Sequence, residues 1–237
     1  MLKSLRLITT VVLVMLIIID CNDLKSSGRQ NESSWQKEFN LIIRNLSDIG
    51  RNKYFILEPG YQLVLEDRFT KLTITVLDET KIVDGVKTRI VEEKEWIRGD
   101  LYEVSRNFFA VDKNTKDVFY FGEEVDFYKN GEVADHYGAW EAGLKEARAG
   151  MQMPGDTKVG MKYYQEIAPE VAMDRAEIIS VTDKFETPAG KFTNCLTTKE
   201  GTALNFREVE FKTYAPGIGL IQDESLLLTR HGFIKKN

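Results

Sequence analysis

The residues able to do chemistry in this chain are mostly carboxylates. Glu123, Glu124, Asp126, Glu141 and Glu166 fall within one aromatic-rich stretch, and two facing carboxyl groups are the acid and base of sugar hydrolysis. Solvent-facing acids on alternating strand positions give the same pattern, and spacing along a chain does not set two side chains opposite each other. Asp112, Asn114 and Glu123 occupy the first, third and twelfth places of a calcium-loop spacing, but Lys116 and Asp117 stand where that loop needs an oxygen ligand and a glycine. A hairpin turn over Asp112–Asp117 explains the same residues. Two histidines, His136 and His231, and two cysteines, Cys21 and Cys195, are too few and too scattered for a zinc site. His136 reads as a surface loop residue and Cys195 as packing within a strand. There is no Gly-x-Ser-x-Gly elbow and no glycine-rich phosphate loop, so the expectation is a chain without catalytic residue, metal or cofactor.

Aromatic side chains concentrate in the same stretch, Asn107–Glu166. If several point into a curved sheet, Phe121, Tyr128, Trp140 and Tyr164 are the candidate lining of a pocket for an apolar or amphipathic ligand. Filling of the core is the competing use of the same rings, since small barrels are usually packed with side chains.

The elements that must position these residues are strands. From Tyr54 onward the apolar period is two, with Asp84-Gly85, Gly99 and Lys129-Asn130-Gly131 as turns between short runs and Thr187–Gly190 turning a later hairpin. Ala139–Met153, interrupted by Gly143 and Gly150, reads as a short helical turn or an ordered loop. Ahead of the strands, Trp35, Phe39, Ile42, Ile43, Leu46 and Ile49 recur at spacings of three and four, which predicts an amphipathic helix over Trp35–Ile49 capped by Ser33 or Ser34. The predicted fold is therefore all-β: an antiparallel, strongly curved sheet or open barrel with one helix in front.

With 237 residues, 43% hydrophobic and 11% aromatic, the chain has ample material for one core, and its net charge of −5 is spread too evenly to suggest a nucleic-acid partner. Lys3 and Arg6 precede an uncharged apolar run, Leu7 to Ile19, which has the length of a signal-peptide core and falls short of the ~20 residues of a bilayer span. Cys21 follows, and its place resembles the lipidation box of bacterial lipoproteins, although Asp20 stands where that box has a small residue. The polar, serine-rich residues after it suit a tether. The expected organisation is a signal peptide over 1–20, a flexible tether over 21–34 and a single β-rich domain over 35–237.

Phe108–Asp112, Val118–Glu123, Gly138–Gly143, Met153-Pro154, Tyr163–Glu166 and Tyr214–Ile221 together resemble a family of exported bacterial lipoproteins of unknown function, over about Asn52 to Ile221. That resemblance implies a location in the cell envelope, on the periplasmic side of a membrane or at the cell surface, with lipid-modified Cys21 as the anchor. It implies no activity. Three functions remain open from the residues: a non-catalytic protein binding an apolar or amphipathic molecule, a structural or interaction module, and, last, a carboxylate-dependent hydrolase.

Overall fold

The computed structural model describes residues 34–234, and the expected signal peptide, Cys21 and nearly all of the expected tether lie outside them. Eighteen strands follow in chain order: β1 (Leu46–Ser47), β2 (Gly50–Asn52), β3 (Phe55–Leu57), β4 (Tyr61–Glu66), β5 (Thr70–Val83), β6 (Val86–Ile97), β7 (Asp100–Asp112), β8 (Val118–Lys129), β9 (Glu132–Asp135) and β10 (Trp140–Glu141) come first. Then come β11 (Arg148–Met153), β12 (Lys162–Tyr164), β13 (Glu166–Ile167), β14 (Asp174–Thr187), β15 (Gly190–Thr202), β16 (Glu210–Ala215), β17 (Gly219–Asp223) and β18 (Leu226–Phe233). The predicted β architecture is present. Asp84-Gly85, Arg98-Gly99 and Asn130-Gly131 each carry positive φ at both positions, the two-residue turn whose twist matches antiparallel partners.

All pairings between these strands are antiparallel, and the neighbours along the main sheet run β12, β14, β15, β16, β17, β18, β4, β5, β6, β7, β8, β11, β13. The two ends of this path are consecutive in the chain. Lys162–Tyr164 pairs with β14, the Gln165 N–H donates to the Asp174 carbonyl, and Glu166–Ile167 pairs with β11. One segment thus joins both edges and bends the sheet into a nearly closed barrel. Gly150 permits the join, because a Cβ there would lie 2.2 Å from the Gln165 carbonyl oxygen.

Two sequence expectations fail locally. Trp35–Ile49 is not an amphipathic helix: Gln36 bridges to Tyr163, and the only helical turn described in this stretch is a 3-10 turn at Ile43–Asn45. The apolar residues do not share one face. Trp35 packs with Tyr164 and Ile167 outside the barrel, Phe39 meets Phe119 edge-on, and Ile42, Ile43 and Ile49 are exposed. Pairing with an open sheet edge satisfies the backbone that a helix would have satisfied internally, and β-branched Ile and polar Asn, Ser and Asp favour that outcome. Ala139–Met153, in turn, is neither helix nor loop throughout, since β10 and β11 both add to β8.

Candidate functional site

Residues paired across neighbouring strands share a face of the sheet, so the register sorts side chains into rows. One row runs Tyr163, Ala176, Glu200, Glu210, and the next runs Ile178, Thr198, Lys212, Asp223, Leu226. Ile178, Thr198 and Leu226 have no exposed surface, which marks this face as the interior. On the opposite wall, Leu63, Ile74, Glu93, Ser105 and Val125 form one row, and Val91, Asn107, Glu123 and Trp140 another. The two walls meet electrostatically across the barrel: Glu93 of β6 feels Lys212 of β16 and Asp223 of β17.

A bulge aims Glu123 inward. Phe109 pairs with Tyr120 and Asn107 with Glu123, so β8 has one residue more than β7 between these pairs, and Tyr120 and Glu123 face the same side. Gly122 makes the bulge possible, with φ +135° and a notional Cβ only 2.3 Å from the Trp140 carbonyl oxygen. Asn107 then fixes Tyr120. Its Nδ2 donates to the Val91 carbonyl and to Ser105 Oγ, which leaves its Oδ1 to accept the Tyr120 hydroxyl. Tyr120 stacks on Phe109 with ring centres 4.7 Å apart, and Trp140 meets it edge-on at 5.4 Å.

Across the interior, Glu200 accepts hydrogen bonds from Thr198 Oγ1 at 2.7 Å and the Tyr214 hydroxyl at 3.3 Å, and pairs with Lys212 Nζ at 3.3 Å. Burial by itself would lower the Lys212 pKa, yet the carboxylates of Glu200 and Asp223 raise it well above the usual lysine value. Burial pushes Glu93 up to about 7, with Asp223, Glu123 and Glu95 adding to the shift and Lys212 opposing it. Tyr120 and Tyr214 are held well above their ordinary range, first by burial and then by carboxylates: Glu123, Glu166 and Glu93 around Tyr120, and Glu200 beside Tyr214. Glu93, Glu123, Lys212 and Asp223 nevertheless keep part of their surface accessible. A predominantly acidic interior is the consequence.

Among the described residues, two buried donors on these walls lack any partner: the Trp140 indole N–H and the Tyr163 hydroxyl. Trp140 is 7% exposed and shares the face of Glu123, while Tyr163 is 1% exposed and shares the face of Glu200.

Of the carboxylates singled out in the sequence, only Glu123 and Glu166 reach the interior, where both act on Tyr120. Glu124 and Glu141 bind Lys81 on the outside at 2.9 and 2.8 Å, and Asp126 lies 2.8 Å from the exposed His136 ring. Asp112 and Asp117 serve the β7–β8 turn: Asp112 accepts the N–H groups of Asn114 and Thr115, and Asp117 that of Gly155. Cys195 is fully buried, and burial pushes its thiol pKa up. The four aromatics do not line one pocket. Phe121 belongs to the main core, Tyr128 sits half-buried opposite Val133, Tyr164 packs outside with Trp35, and Trp140 alone stands on the interior wall. Sequence reasoning passed over Glu93, Glu200, Lys212, Asp223 and Tyr163. For Glu93 the signal was the run Glu92-Glu93-Lys94-Glu95, which puts charge on both faces of a strand that must have one face inside.

Fold and interior together define an up-and-down antiparallel barrel with a charged, acid-lined centre. Comparison with family models, with curated proteins and with solved structures finds no match for this chain.

Proposed function

We propose that this chain is a non-catalytic lipoprotein of the bacterial cell envelope, anchored through Cys21, whose barrel interior binds a small polar molecule. The supporting observation is the pair of buried donors without a partner among the described residues, Trp140 Nε1 and the Tyr163 hydroxyl, on walls that also carry Glu93, Glu200 and Asp223. Buried polar groups without a hydrogen bond and buried charges are both costly, and such costs are tolerated where a ligand repays them. Charge on both walls favours a polar ligand over the apolar one that the aromatic run suggests. Native mass spectrometry of the full-length protein in detergent tests the reading, with a retained small-molecule adduct as the expected result. A bare protein whose melting no small polar compound shifts would leave a structural module instead. For the anchor, Cys21→Ser should remove the acyl mass and membrane retention together, and unchanged retention without any acyl mass on the parent would refute it.

One observation favours a second reading. A carboxyl group that keeps its proton near pH 7 beside other acids suits general acid catalysis, and Glu93 is such a group. Turnover of chromogenic glycosides that disappears in both Glu93→Gln and Glu123→Gln would support a hydrolase and displace the binding proposal.

A further inference from the structure

We propose that one end of the barrel lies on a phospholipid bilayer, with Phe206 and Phe69 at the boundary between headgroups and acyl chains. This rests on the reading of the chain as an anchored lipoprotein and names the face that the anchor brings to the membrane. Antiparallel neighbours alternate in direction along the sheet, so the connections β15–β16, β17–β18, β4–β5 and β6–β7 all fall at this end. Hydrogen bonds tie them into one rim. The Glu224 N–H donates to the Phe211 carbonyl at 3.2 Å, Ser225 Oγ to Asp67 at 2.7 Å, and the Arg98 N–H to the Phe69 carbonyl at 2.6 Å.

The rim exposes large apolar side chains. Phe206 is 62% exposed and Phe69 50%, and Leu204 and Val209 are exposed on the same loop as Phe206. The Arg68 and Arg98 guanidinium groups lie over the Phe69 ring at 5.0 and 5.2 Å, and that of Arg175 over Phe206 at 5.3 Å. A ring under a guanidinium suits a bilayer interface, where the ring enters the acyl boundary and the cation meets lipid phosphate. Ile82 and Phe233 are exposed at the opposite end, so exposure alone does not choose between the ends. The tether does. Trp35, where it joins the domain, packs against Ala203 and shares a cleft with Phe206 and Val209. Gln36 bridges Tyr163, the partner of Ala176, which lies roughly 7 Å from Asp174 at the rim end of β14 and roughly 36 Å from Thr187 at its other end. Fully extended, the chain from Cys21 to Trp35 reaches at most about 50 Å. Turning the opposite end to the bilayer would use most of that length in running back along the barrel wall, whereas the rim needs little of it.

The test places full-length protein in vesicles of phosphatidylethanolamine and phosphatidylglycerol, with a fluorescent thiol label on Phe206→Cys, Phe69→Cys or, at the opposite end, Ile82→Cys. Peptide masses confirm that each label sits at the introduced position alone. Brominated acyl chains should quench the labels at 206 and 69 at least about twofold more than the label at 82. Arg68→Glu combined with Arg98→Glu, in a protein that melts like its parent, should return the label at 69 towards water. Equal quenching at all three positions in protein that floats with the vesicles and carries an acyl group on Cys21 overturns the bilayer contact and leaves the anchor standing. Strong quenching at 206 and 69 without any acyl mass on Cys21 refutes the anchor and supports the contact. Labels that leave water only when other envelope proteins are added assign the rim to a protein partner and overturn the proposal. Protein that neither floats nor carries an acyl group sinks both.

Discussion

Replacing Lys212 with methionine removes the cation that the interior acids Glu200, Asp223 and Glu93 share, and it does so with a side chain of similar length. Glu200 is 8% exposed and keeps its bonds from Thr198 and Tyr214, but its charge and that of Asp223 lose their counter-ion. Removing one partner of a fully buried pair costs about 3–5 kcal/mol. The Lys212 side chain retains 25% accessibility, so water recovers part of that, and about 3 kcal/mol at pH 8 is the expected loss. For a domain of this size the melting temperature should fall by roughly 6–12 °C. Lys191→Met, at a surface pair with Glu186 whose lysine side chain is 80% exposed, serves as the control and should stay within about 0.5 kcal/mol. Differential scanning calorimetry from pH 5 to 9 reads both variants. The Lys212→Met deficit should shrink on acidification as the acids protonate, and Glu200→Gln added to it should restore part of the loss. If Lys212→Met melts with the control at pH 8, the interior is as polarisable as bulk water and the electrostatic reasoning fails.

Because the Glu93 pKa is raised in the folded state, from 4.5 to about 7, folding takes up a proton between those values and stability falls as pH rises through that window; Glu93→Gln should match the parent near pH 4.5 and melt higher above pH 7. Parallel stability profiles for the two proteins would contradict this. Gly122→Ala places a Cβ against the Trp140 carbonyl at positive φ and should cost more than about 2 kcal/mol in urea unfolding, whereas Gly85→Ala, at positive φ with nothing within 4 Å, should cost about 1 kcal/mol. Trp140→Ala deletes a buried ring that contacts Tyr120 and should lose about 3–5 kcal/mol, while Trp140→Phe loses much less and reports mainly on ligand binding.

The strand content and most hairpin turns were legible because each turn has a local chemical cause, as at Asp84-Gly85 and Asn130-Gly131. The interior was not legible, because period two says that two faces differ and not which one is inside. On β16 an apolar-inward reading of Glu210–Ala215 buries Phe211, yet Phe211 is 43% exposed and Lys212 and Tyr214 point inward. Glu123 was hidden for a different reason, since strict alternation from the inward Tyr120 turns it outward and only the bulge at Gly122 reverses that. The Trp35–Ile49 helix failed because its spacing of apolar residues was satisfied by tertiary contacts at several separate places.

The adjacency of β18 and β4 has a bearing on how the chain folds. Thr229 Oγ1 donates to Glu66 across 163 residues of sequence, and the register between these strands runs from Leu227–Glu66 to Phe233–Tyr61. Every strand from β5 to β8 can form on its predecessor as it emerges, but β4 stays an open edge until almost the last residue of the domain has been made. Such non-local pairing is slow, and a strand with one open edge and Leu63, Val64 and Leu65 in it is a template for other chains. A chain truncated before Leu226 would leave two such edges, β4 and β17, and should associate with itself instead of folding.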